Sequence, residues 1–461
     1  MTDLVCLSPV DGREIARRAS ASAADIERAI VAARAARAEW SRVTLAERGR
    51  LLSAAVDAML AMRDEIVPEL AWQMGRPIKF GGGELRGFEE RARHMIAIAE
   101  TALAPIVPSP KQGLARQIKR VPLGLVLTIA PWNYPYLTAV NSIIPALMAG
   151  NAVILKHAAQ TLLVGDRFAI AMERANLPPG LFRSLALSHE DTAKLIGSSV
   201  FDQVCFTGSV AAGRSIERAT AGTFTGVGLE LGGKDPAYVR PDANLAHAID
   251  NLVDGSFFNS GQSCCGIERI YVHADVYDRF VDGFVDLTRQ YVLGNPLDAS
   301  TTLGPMARRD LSMTVRNHVA EALVRGARAL IDTRSFVMDM PGSTYIAPQV
   351  LVDVDHTMTV MTEETFGPVV GLMKVASDSE AIRLMNDSPY GLTAAIWTAD
   401  PACAERIGDQ LETGTVFMNR CDYLDPALAW TGVKDSGRGA TLSTIGYEML
   451  TRPKSFHLRS V

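Results

Sequence analysis

The stretch that decides how this chain folds is Leu125-Val126-Leu127-Thr128-Ile129-Ala130-Pro131-Trp132-Asn133-Tyr134-Pro135. A short apolar run bounded by proline predicts a buried strand over 125–130, and a helix is predicted from about Tyr136. Proline on both sides fixes the backbone of the turn, and an asparagine held there can direct its amide at a developing oxyanion. An ordinary turn stabilised by the Asn133 side chain is the alternative that these residues leave open.

Strands and helices alternate along the rest of the chain. The other strands are predicted at 152–156, 182–187, 203–207, 269–273, 391–398 and 414–419. The other helices are predicted from Ser22 and at 51–70, 161–175, 209–219 and 276–292. Short elements joined by tight links favour an α/β protein with a doubly wound, mainly parallel sheet. In such sheets, ligands bind at the carboxyl ends of the strands.

Length and composition limit the class of protein. At 461 residues the chain exceeds what one hydrophobic core usually serves, which predicts two or three domains. The net charge of −5 is small, and it argues against nucleic acid or an anionic membrane as a partner. No run of about 18 apolar residues occurs, and the first residues lack the pattern of a secretory signal.

The cysteines indicate a reducing environment. The six of them show neither a C-x-x-C pair nor a histidine spacing suited to zinc, so no metal site is predicted. In a chain of this length they do not form a disulfide scaffold. We therefore expect a cytoplasmic protein, in which a thiol stays available for catalysis.

Two motifs suggest covalent catalysis. Cys264 follows Gly261-Gln262-Ser263, small and polar residues that allow a substrate and backbone N–H donors to approach closely. Glu230 follows the apolar, glycine-containing segment 226–229, where burial raises the pKa of a carboxyl group and suits it to be a general base. A buried apolar cysteine and a salt-bridged glutamate are the ordinary alternatives. Together, the two motifs favour a thioester on Cys264 that is hydrolysed with help from Glu230.

Three other motifs are suited to a ligand with phosphate and ribose groups. Gly208 and Ser209 join a predicted strand to a helix, where a diphosphate can approach the helix N-terminus, although G-x-G-x-x-G is absent. Lys156 ends an apolar strand, where a cation can meet a ribose or a phosphate. Glu364 precedes Phe366 in a turn, and its carboxylate can accept hydrogen bonds from ribose hydroxyls. A tight turn, a solvated lysine and a charged loop are the respective alternatives.

Taken in order, the motifs resemble the aldehyde dehydrogenase superfamily over essentially the whole chain. The motifs are PWNYP at 131–135, LKHAAQT at 155–161, FTGSVAAG at 206–213, LELGGK at 229–234, FNSGQSCC at 258–265, EETFGP at 363–368 and WTGVKDSGRG at 430–439. Their order and spacing both fit, which makes the resemblance more specific than any single motif.

The resemblance implies oxidation of an aldehyde to the carboxylic acid with NAD or NADP. It implies that Cys264 is the nucleophile, that Glu230 activates water, and that Asn133 and the Cys264 N–H form the oxyanion site. The implied cofactor contacts are Trp132, Lys156, Gly208, Ser209, Glu364 and Phe366. A thiol-dependent ester hydrolase without a redox step is the alternative from another class.

Departures from the superfamily pattern bear on the ligands. Many members have a ribose-binding glutamate where this chain has Ala159, and its absence predicts that NADP is accepted. The residues predicted to line the substrate tunnel are Tyr134, Leu137, Asn141, Leu424 and Trp430. The short chain length and the stretches KHA at 156–158 and LGPMAR at 303–308 resemble bacterial succinate-semialdehyde dehydrogenases. Those enzymes usually carry an arginine where this chain has Asn141, which weighs against a semialdehyde unless Arg420 replaces it. Aromatic, aliphatic and cationic amino-aldehydes therefore stay open as substrates.

The resemblance also implies a Rossmann-like cofactor domain, an α/β catalytic domain and a small β oligomerisation element. We place the cofactor domain at 1–103 and 123–231 and the catalytic domain at 232–435. The oligomerisation element is predicted at 104–122 and 436–461. The resemblance implies that this element joins subunits of a homodimer or homotetramer.

Overall fold

The computed structural model describes residues 3–460. The helices are α1 Ala23–Trp40, α2 Leu45–Leu60, α3 Arg63–Met74, α4 Ile78–Ala102, α5 Pro135–Ala149, α6 Leu162–Arg174, α7 His189–Gly197, α8 Val210–Thr220, α9 Leu245–Phe257, α10 Tyr277–Thr288, α11 Arg309–Val324, α12 Thr359–Thr362, α13 Asp378–Asn386 and α14 Pro401–Gly408. The strands are β1 Asp3–Leu7, β2 Glu14–Ala19, β3 Leu114–Pro122, β4 Leu125–Ala130, β5 Ala152–His157, β6 Phe182–Ser184, β7 Gln203–Thr207, β8 Gly226–Glu230, β9 Asp235–Val239, β10 Ile267–His273, β11 Arg328–Ala329, β12 Gln349–Val352, β13 Val369–Val375, β14 Tyr390–Gly391, β15 Thr393–Trp397, β16 Thr415–Met418, β17 Val433–Lys434, β18 Gly437–Arg438 and β19 Thr451–Arg459. Within 3–460, no helix is both long and apolar enough to cross a membrane.

The first sheet has the strand order β18-β8-β7-β4-β5-β6. All its strands run parallel except β18, which is antiparallel to β8. Every residue of β4 and β5 is buried, as expected when helices cover both faces of a parallel sheet. The chain builds outward from β4 to β6 and then returns to the other side of β4 with β7. The carboxyl ends of β4 and β7 therefore flank a crevice at the point where the strand order reverses.

The second sheet has the order β11-β12-β13-β10-β9-β15-β16, and only β11 runs antiparallel to its neighbour. Residues 231–234 connect β8 of the first sheet to β9 of the second. Glu230, at the end of β8, therefore lies where the chain passes from one sheet to the other. The expected α/β class and the predicted second series of strands and helices are confirmed.

A two-stranded antiparallel ribbon joins β3 to β19, from Pro122 opposite Thr451 to Leu114 opposite Arg459. Residues 114–122 of the predicted oligomerisation element thus pair with the C-terminal segment of the same chain. Strand β18, in the same predicted element as β19, pairs instead with β8 of the first sheet. The domain bounds given above stay a prediction.

The helix predicted over 51–70 is wrong in one respect, because the structure has two helices there, α2 and α3. The N–H of Met62 donates to the carbonyl oxygen of Met59 at 3.0 Å, a tight turn that ends α2. Both helices bury apolar side chains in the same core. The helical spacing of apolar residues continues from α2 into α3, so it does not reveal the break between the two helices.

Candidate active site

The turn after β4 places Asn133 in the crevice. Asn133 is buried, and its Nδ2 donates to the carbonyl oxygen of Gln262 at 3.2 Å. Because an amide nitrogen carries two hydrogens, one N–H of Asn133 is left for a ligand. The Asn133 carbonyl oxygen accepts hydrogen bonds from Arg76 Nη2 at 2.5 Å and from Asn259 Nδ2 at 3.3 Å. Two other segments of the chain thus hold this turn in place.

A buried ion pair that the sequence analysis missed supports the same turn. The side chains of Arg76 and Glu84 pair in the interior, where they are 2% and 0% exposed. Glu84 Oε1 also accepts hydrogen bonds from the N–H groups of Tyr136 at 2.9 Å and Leu137 at 3.1 Å. These are first-turn donors of α5, which have no partner inside the helix. In the sequence, the only signal is a glutamate after three glycines, which does not show what the carboxylate contacts.

The loop before Cys264 has left-handed backbone conformations. Asn259, Ser260 and Gly261 have φ angles of 53°, 57° and 68°. A Cβ atom on Gly261 would lie 2.2 Å from the carbonyl oxygen of Gly367. Only glycine fits this close approach, and it fixes the path of the chain into Cys264.

The two adjacent cysteines have different environments. Cys265 is buried, and its thiol donates to Asp422 Oδ1 at 3.0 Å, the oxygen to which Ser263 Oγ donates at 2.8 Å. A hydrogen bond with the Cys264 side chain, together with burial, raises the pKa of Cys265 well above the usual thiol value. Cys264 is only partly buried. It is therefore the more accessible thiol, and Cys265 stays protonated.

Glu230 reaches the crevice from the end of β8. Its Oε1 accepts a hydrogen bond from Thr441 Oγ1 at 2.5 Å, and its Oε2 accepts one from Thr207 Oγ1 at 3.1 Å. Burial raises the pKa of Glu230, while the two hydroxyl groups and the charge of Arg91 oppose the rise. A carboxyl group with a raised pKa is suited to accept a proton near neutral pH.

A cavity of about 570 Å³, the larger cavity, lies at the carboxyl ends of β4, β5, β7 and β8. All six residues predicted to hold a cofactor line it, namely Trp132, Lys156, Gly208, Ser209, Glu364 and Phe366. Cys264, Glu230 and Asn133 line it as well. The structure therefore brings the predicted catalytic and cofactor residues to one cavity.

The end of the larger cavity next to helix α8 has features suited to phosphate. The Ser209 side chain accepts a hydrogen bond from the N–H of Ala212 at 3.3 Å, so helix α8 begins at the cavity. A Cβ atom on Gly208 would lie 2.6 Å from the Phe206 ring, which keeps the backbone bare where a phosphate can approach. Lys156 is 6% exposed, burial lowers its pKa, and it makes no salt bridge within residues 3–460. Its amino group is thus available to a ligand.

The loop that carries Glu364 and Phe366 is anchored by a buried ion pair. Lys234 pairs with Glu268, and Glu268 accepts hydrogen bonds from the N–H groups of Thr365 and Phe366, each at 2.9 Å. Burial raises the pKa of Glu364 to about 8, and the charge of Glu268 adds to the rise. Lys234 positions this loop, a role that its place in the LELGGK motif did not indicate.

A second cavity of about 400 Å³, the smaller cavity, opens on the other side of Cys264. It is lined by all five residues predicted for the substrate tunnel, namely Tyr134, Leu137, Asn141, Leu424 and Trp430. Asp422 also lines it, as do Arg86, Glu90, Arg91 and Asp254, which the sequence analysis missed. The smaller cavity is therefore more charged than the sequence indicated.

The arginine that contacts Asn141 in the smaller cavity comes from an unexpected helix. Arg420 does not line the cavity, and its guanidinium lies 3.4 Å from the ring centre of Tyr423. Arg91 of α4 lies there instead, and its Nη1 donates to the Leu137 carbonyl oxygen at 2.8 Å and to Asn141 Oδ1 at 3.4 Å. An arginine thus reaches position 141 from outside α5.

The two cavities meet at the candidate catalytic residues. Thr138, Thr207, Glu230 and Cys264 line both of them. A carbonyl compound in the smaller cavity and a dinucleotide in the larger cavity would approach the same thiol and the same carboxyl group. This arrangement is suited to covalent catalysis coupled to a cofactor.

Comparison with known proteins identifies the family. The model of the aldehyde dehydrogenase family matches residues 2–456. A curated aldehyde dehydrogenase of Paenarthrobacter nicotinovorans is 37% identical, over 92% of this chain and 92% of its own length. The NADP-dependent succinate-semialdehyde dehydrogenase of Mycobacterium avium is 33% identical, over 99% and 97%. The solved NAD-dependent aldehyde dehydrogenase from Sinorhizobium meliloti has a TM-score of 0.94 and 29% identity, over 99% of this chain and 92% of that one. The chain therefore belongs to the aldehyde dehydrogenase family.

Proposed function

We propose that Cys264 is the nucleophile with which this aldehyde dehydrogenase oxidises its substrate to a carboxylic acid. The observation that carries the proposal is the meeting of the larger and smaller cavities at Cys264 and Glu230. An aldehyde held in the smaller cavity would reach both the Cys264 thiol and a cofactor bound in the larger cavity.

The residues of the chain divide the reaction into two stages. The Cys264 thiolate attacks the carbonyl carbon, and the oxyanion that forms is stabilised by the free N–H of Asn133 and the Cys264 N–H. Bound NAD⁺ or NADP⁺ supplies the hydride acceptor for the oxidation. Glu230 takes a proton from a water molecule, which hydrolyses the resulting Cys264 thioester and releases the acid.

We place NAD⁺ or NADP⁺ in the larger cavity, with Lys156 and Trp132 beside the adenosine and Glu364 at the nicotinamide ribose. The only carboxylate side chains among the described residues lining that cavity are Glu230 and Glu364, and neither belongs to the Lys156 segment. A 2′-phosphate beside Lys156 is therefore attracted by a cation and not repelled by an adjacent carboxylate. This supports acceptance of NADP⁺ as well as NAD⁺.

The ultraviolet absorbance of the reduced cofactor tests the function directly. With a panel of aldehydes and each cofactor, wild-type protein is expected to form reduced cofactor, and Cys264→Ala is expected to form none. Cys403→Ala, a buried thiol that lines neither cavity, is the matched control. Undiminished turnover by Cys264→Ala would refute the assignment. Ester cleavage without aldehyde oxidation would favour the thiol-dependent hydrolase.

We also propose a homodimer or homotetramer in the cytoplasm. Within residues 3–460, one edge of strand β19 pairs with no other strand, and most of its residues are exposed. An exposed edge offers unpaired N–H and C=O groups to a second copy. All six cysteines are free, as expected in a reducing compartment. Sedimentation velocity measures the assembly, and a monomer at micromolar concentration would contradict it.

A further inference from the structure

Arg91 is a buried cation without a carboxylate partner in the smaller cavity. It is 8% exposed, and its Nη1 is occupied by Leu137 and Asn141. Within residues 3–460, its Nε and Nη2 donate to no protein atom and it forms no ion pair. Because a guanidinium stays charged at physiological pH, a positive charge with free N–H donors and no ion-pair partner among the described residues lines the cavity.

Asn141 adds a second unpaired donor at the same place. Its side chain is 2% exposed, and its Oδ1 accepts the hydrogen bond from Arg91. Its Nδ2 is buried and has no hydrogen-bond partner among the described residues. A buried donor without an acceptor costs stability, so its presence in a cavity points to an acceptor that a ligand supplies.

No acid that lines the cavity within residues 3–460 forms an ion pair with Arg91. Glu230, whose charge favours the charged guanidinium, hydrogen-bonds instead to Thr441 and Thr207. Asp422 accepts hydrogen bonds from Ser263 and Cys265 and makes none with Arg91. Glu90 and Asp254 are exposed to solvent, where water screens their charges. The acids of the cavity therefore leave the remaining N–H donors of Arg91 free beside Asn141.

We propose that Arg91 and Asn141 bind a carboxylate at the end of the substrate opposite the aldehyde. This inference rests on the proposed aldehyde oxidation. The substrate class is then the oxo-carboxylic acids, with an aldehyde at one end and a carboxylate at the other. The planar guanidinium matches a carboxylate through two parallel hydrogen bonds. Arg91 of α4 thus takes the role of an arginine at position 141, from 50 residues earlier in the chain.

Matched aldehydes test this assignment. We expect wild-type kcat/KM to be at least about tenfold higher for 4-oxobutanoate than for pentanal, which replaces the carboxylate by an apolar end. Arg91→Met is expected to lower that ratio by about 30-fold, the loss typical of a charge-assisted hydrogen bond. Arg93→Met is the control, because Arg93 lies on the same helix and pairs with Asp57 and Glu89 away from the cavity. Its ratio is expected to equal that of the wild type.

A second variant keeps the proposal testable if Arg91→Met does not fold. Asn141→Asp is nearly isosteric and places a carboxylate against Arg91, so it is expected to lower the same ratio through competition and repulsion. A wild-type ratio in Asn141→Asp and in a folded Arg91→Met would overturn the proposal. Preference of the wild type for 4-aminobutanal over 4-oxobutanoate would also overturn it.

Binding without turnover separates this proposal from the proposed function. Calorimetry is expected to show that succinate binds the wild-type protein and binds Arg91→Met at least about tenfold more weakly. If no aldehyde is oxidised but succinate binding depends on Arg91, the carboxylate site stands and the proposed function fails. If aldehydes are oxidised but succinate does not bind and the ratio favours pentanal, the carboxylate site fails alone.

Discussion

Glu230→Gln removes the proposed base while it preserves the hydrogen bonds of that side chain. Glutamine can accept through Oε1 from Thr441, which lies 2.5 Å from the present oxygen, and its amide can donate to Thr207, which lies 3.1 Å from Oε2. We therefore expect the free energy of unfolding to change by about 1 kcal/mol or less. The chemical step that needs a proton acceptor is the one that changes.

The size of the effect follows from the role of Glu230 as a general base. Such a base contributes about 100- to 10,000-fold, so hydrolysis of the thioester should slow by that factor while its formation on Cys264 stays fast. Stopped-flow absorbance is then expected to show a burst of one reduced cofactor per active site, followed by slow turnover. Urea denaturation of both proteins measures the change in stability.

The pH dependence gives a second readout of the same residue. Burial raises the pKa of Glu230 above its ordinary value. As the pH falls through that raised pKa, the carboxyl group becomes protonated and can no longer accept a proton, so wild-type hydrolysis slows on the acid side. This acid limb is expected to disappear in Glu230→Gln and to persist in Glu173→Gln, an exposed glutamate outside both cavities. Wild-type turnover without a burst in Glu230→Gln would refute the reasoning.

Three other substitutions address the cavities and the nucleophile loop. Thr441→Val removes a hydrogen bond that lowers the pKa of Glu230, so the acid limb of the pH–rate profile should move to higher pH; an unmoved limb would contradict this cause. Ala159→Glu should lower kcat/KM for NADP⁺ relative to NAD⁺ by about tenfold, because the new carboxylate repels a 2′-phosphate; an unchanged ratio of the two values would count against the proposed adenosine site. Gly261→Ala should lower the free energy of unfolding, measured in urea, by about 2 kcal/mol or more, because its Cβ would meet a carbonyl oxygen at 2.2 Å. Gly326→Ala is the control, with a φ of 106° but no atom within 4 Å of its Cβ; equal losses in the two variants would remove the steric argument.

Local sequence patterns predicted β4, β5 and β7, three of the strands that end at the site. All six residues of β4 are buried, as their continuous apolar character predicted. Asn133 and Gly208 each follow the carboxyl end of a strand, and both line the larger cavity. Their placement could be predicted because the carboxyl ends of parallel strands lie at one edge of a sheet. The catalytic roles themselves stay predictions.

The same local sequence patterns could not predict contacts between separate segments of the chain. Arg76 and Glu84 belong to segments whose sequences show no link to the Asn133 turn, yet both hold it or its helix. The absence of an arginine at position 141 weighed against a semialdehyde, but Arg91 approaches Asn141 from another helix. The sequence of a helix shows that it carries a charged side chain, but it does not show which residue that side chain contacts.

The sequence by itself determined the α/β alternation, the reactive motifs and their order, because apolar periodicity and turn chemistry act over a few residues. The tertiary structure alone decided that the two cavities meet at Cys264 and Glu230. It also decided that the cation beside Asn141 comes from α4. The physical reason is that such contacts depend on how α4 and α5 are rotated and packed against each other, and no window of sequence contains both helices.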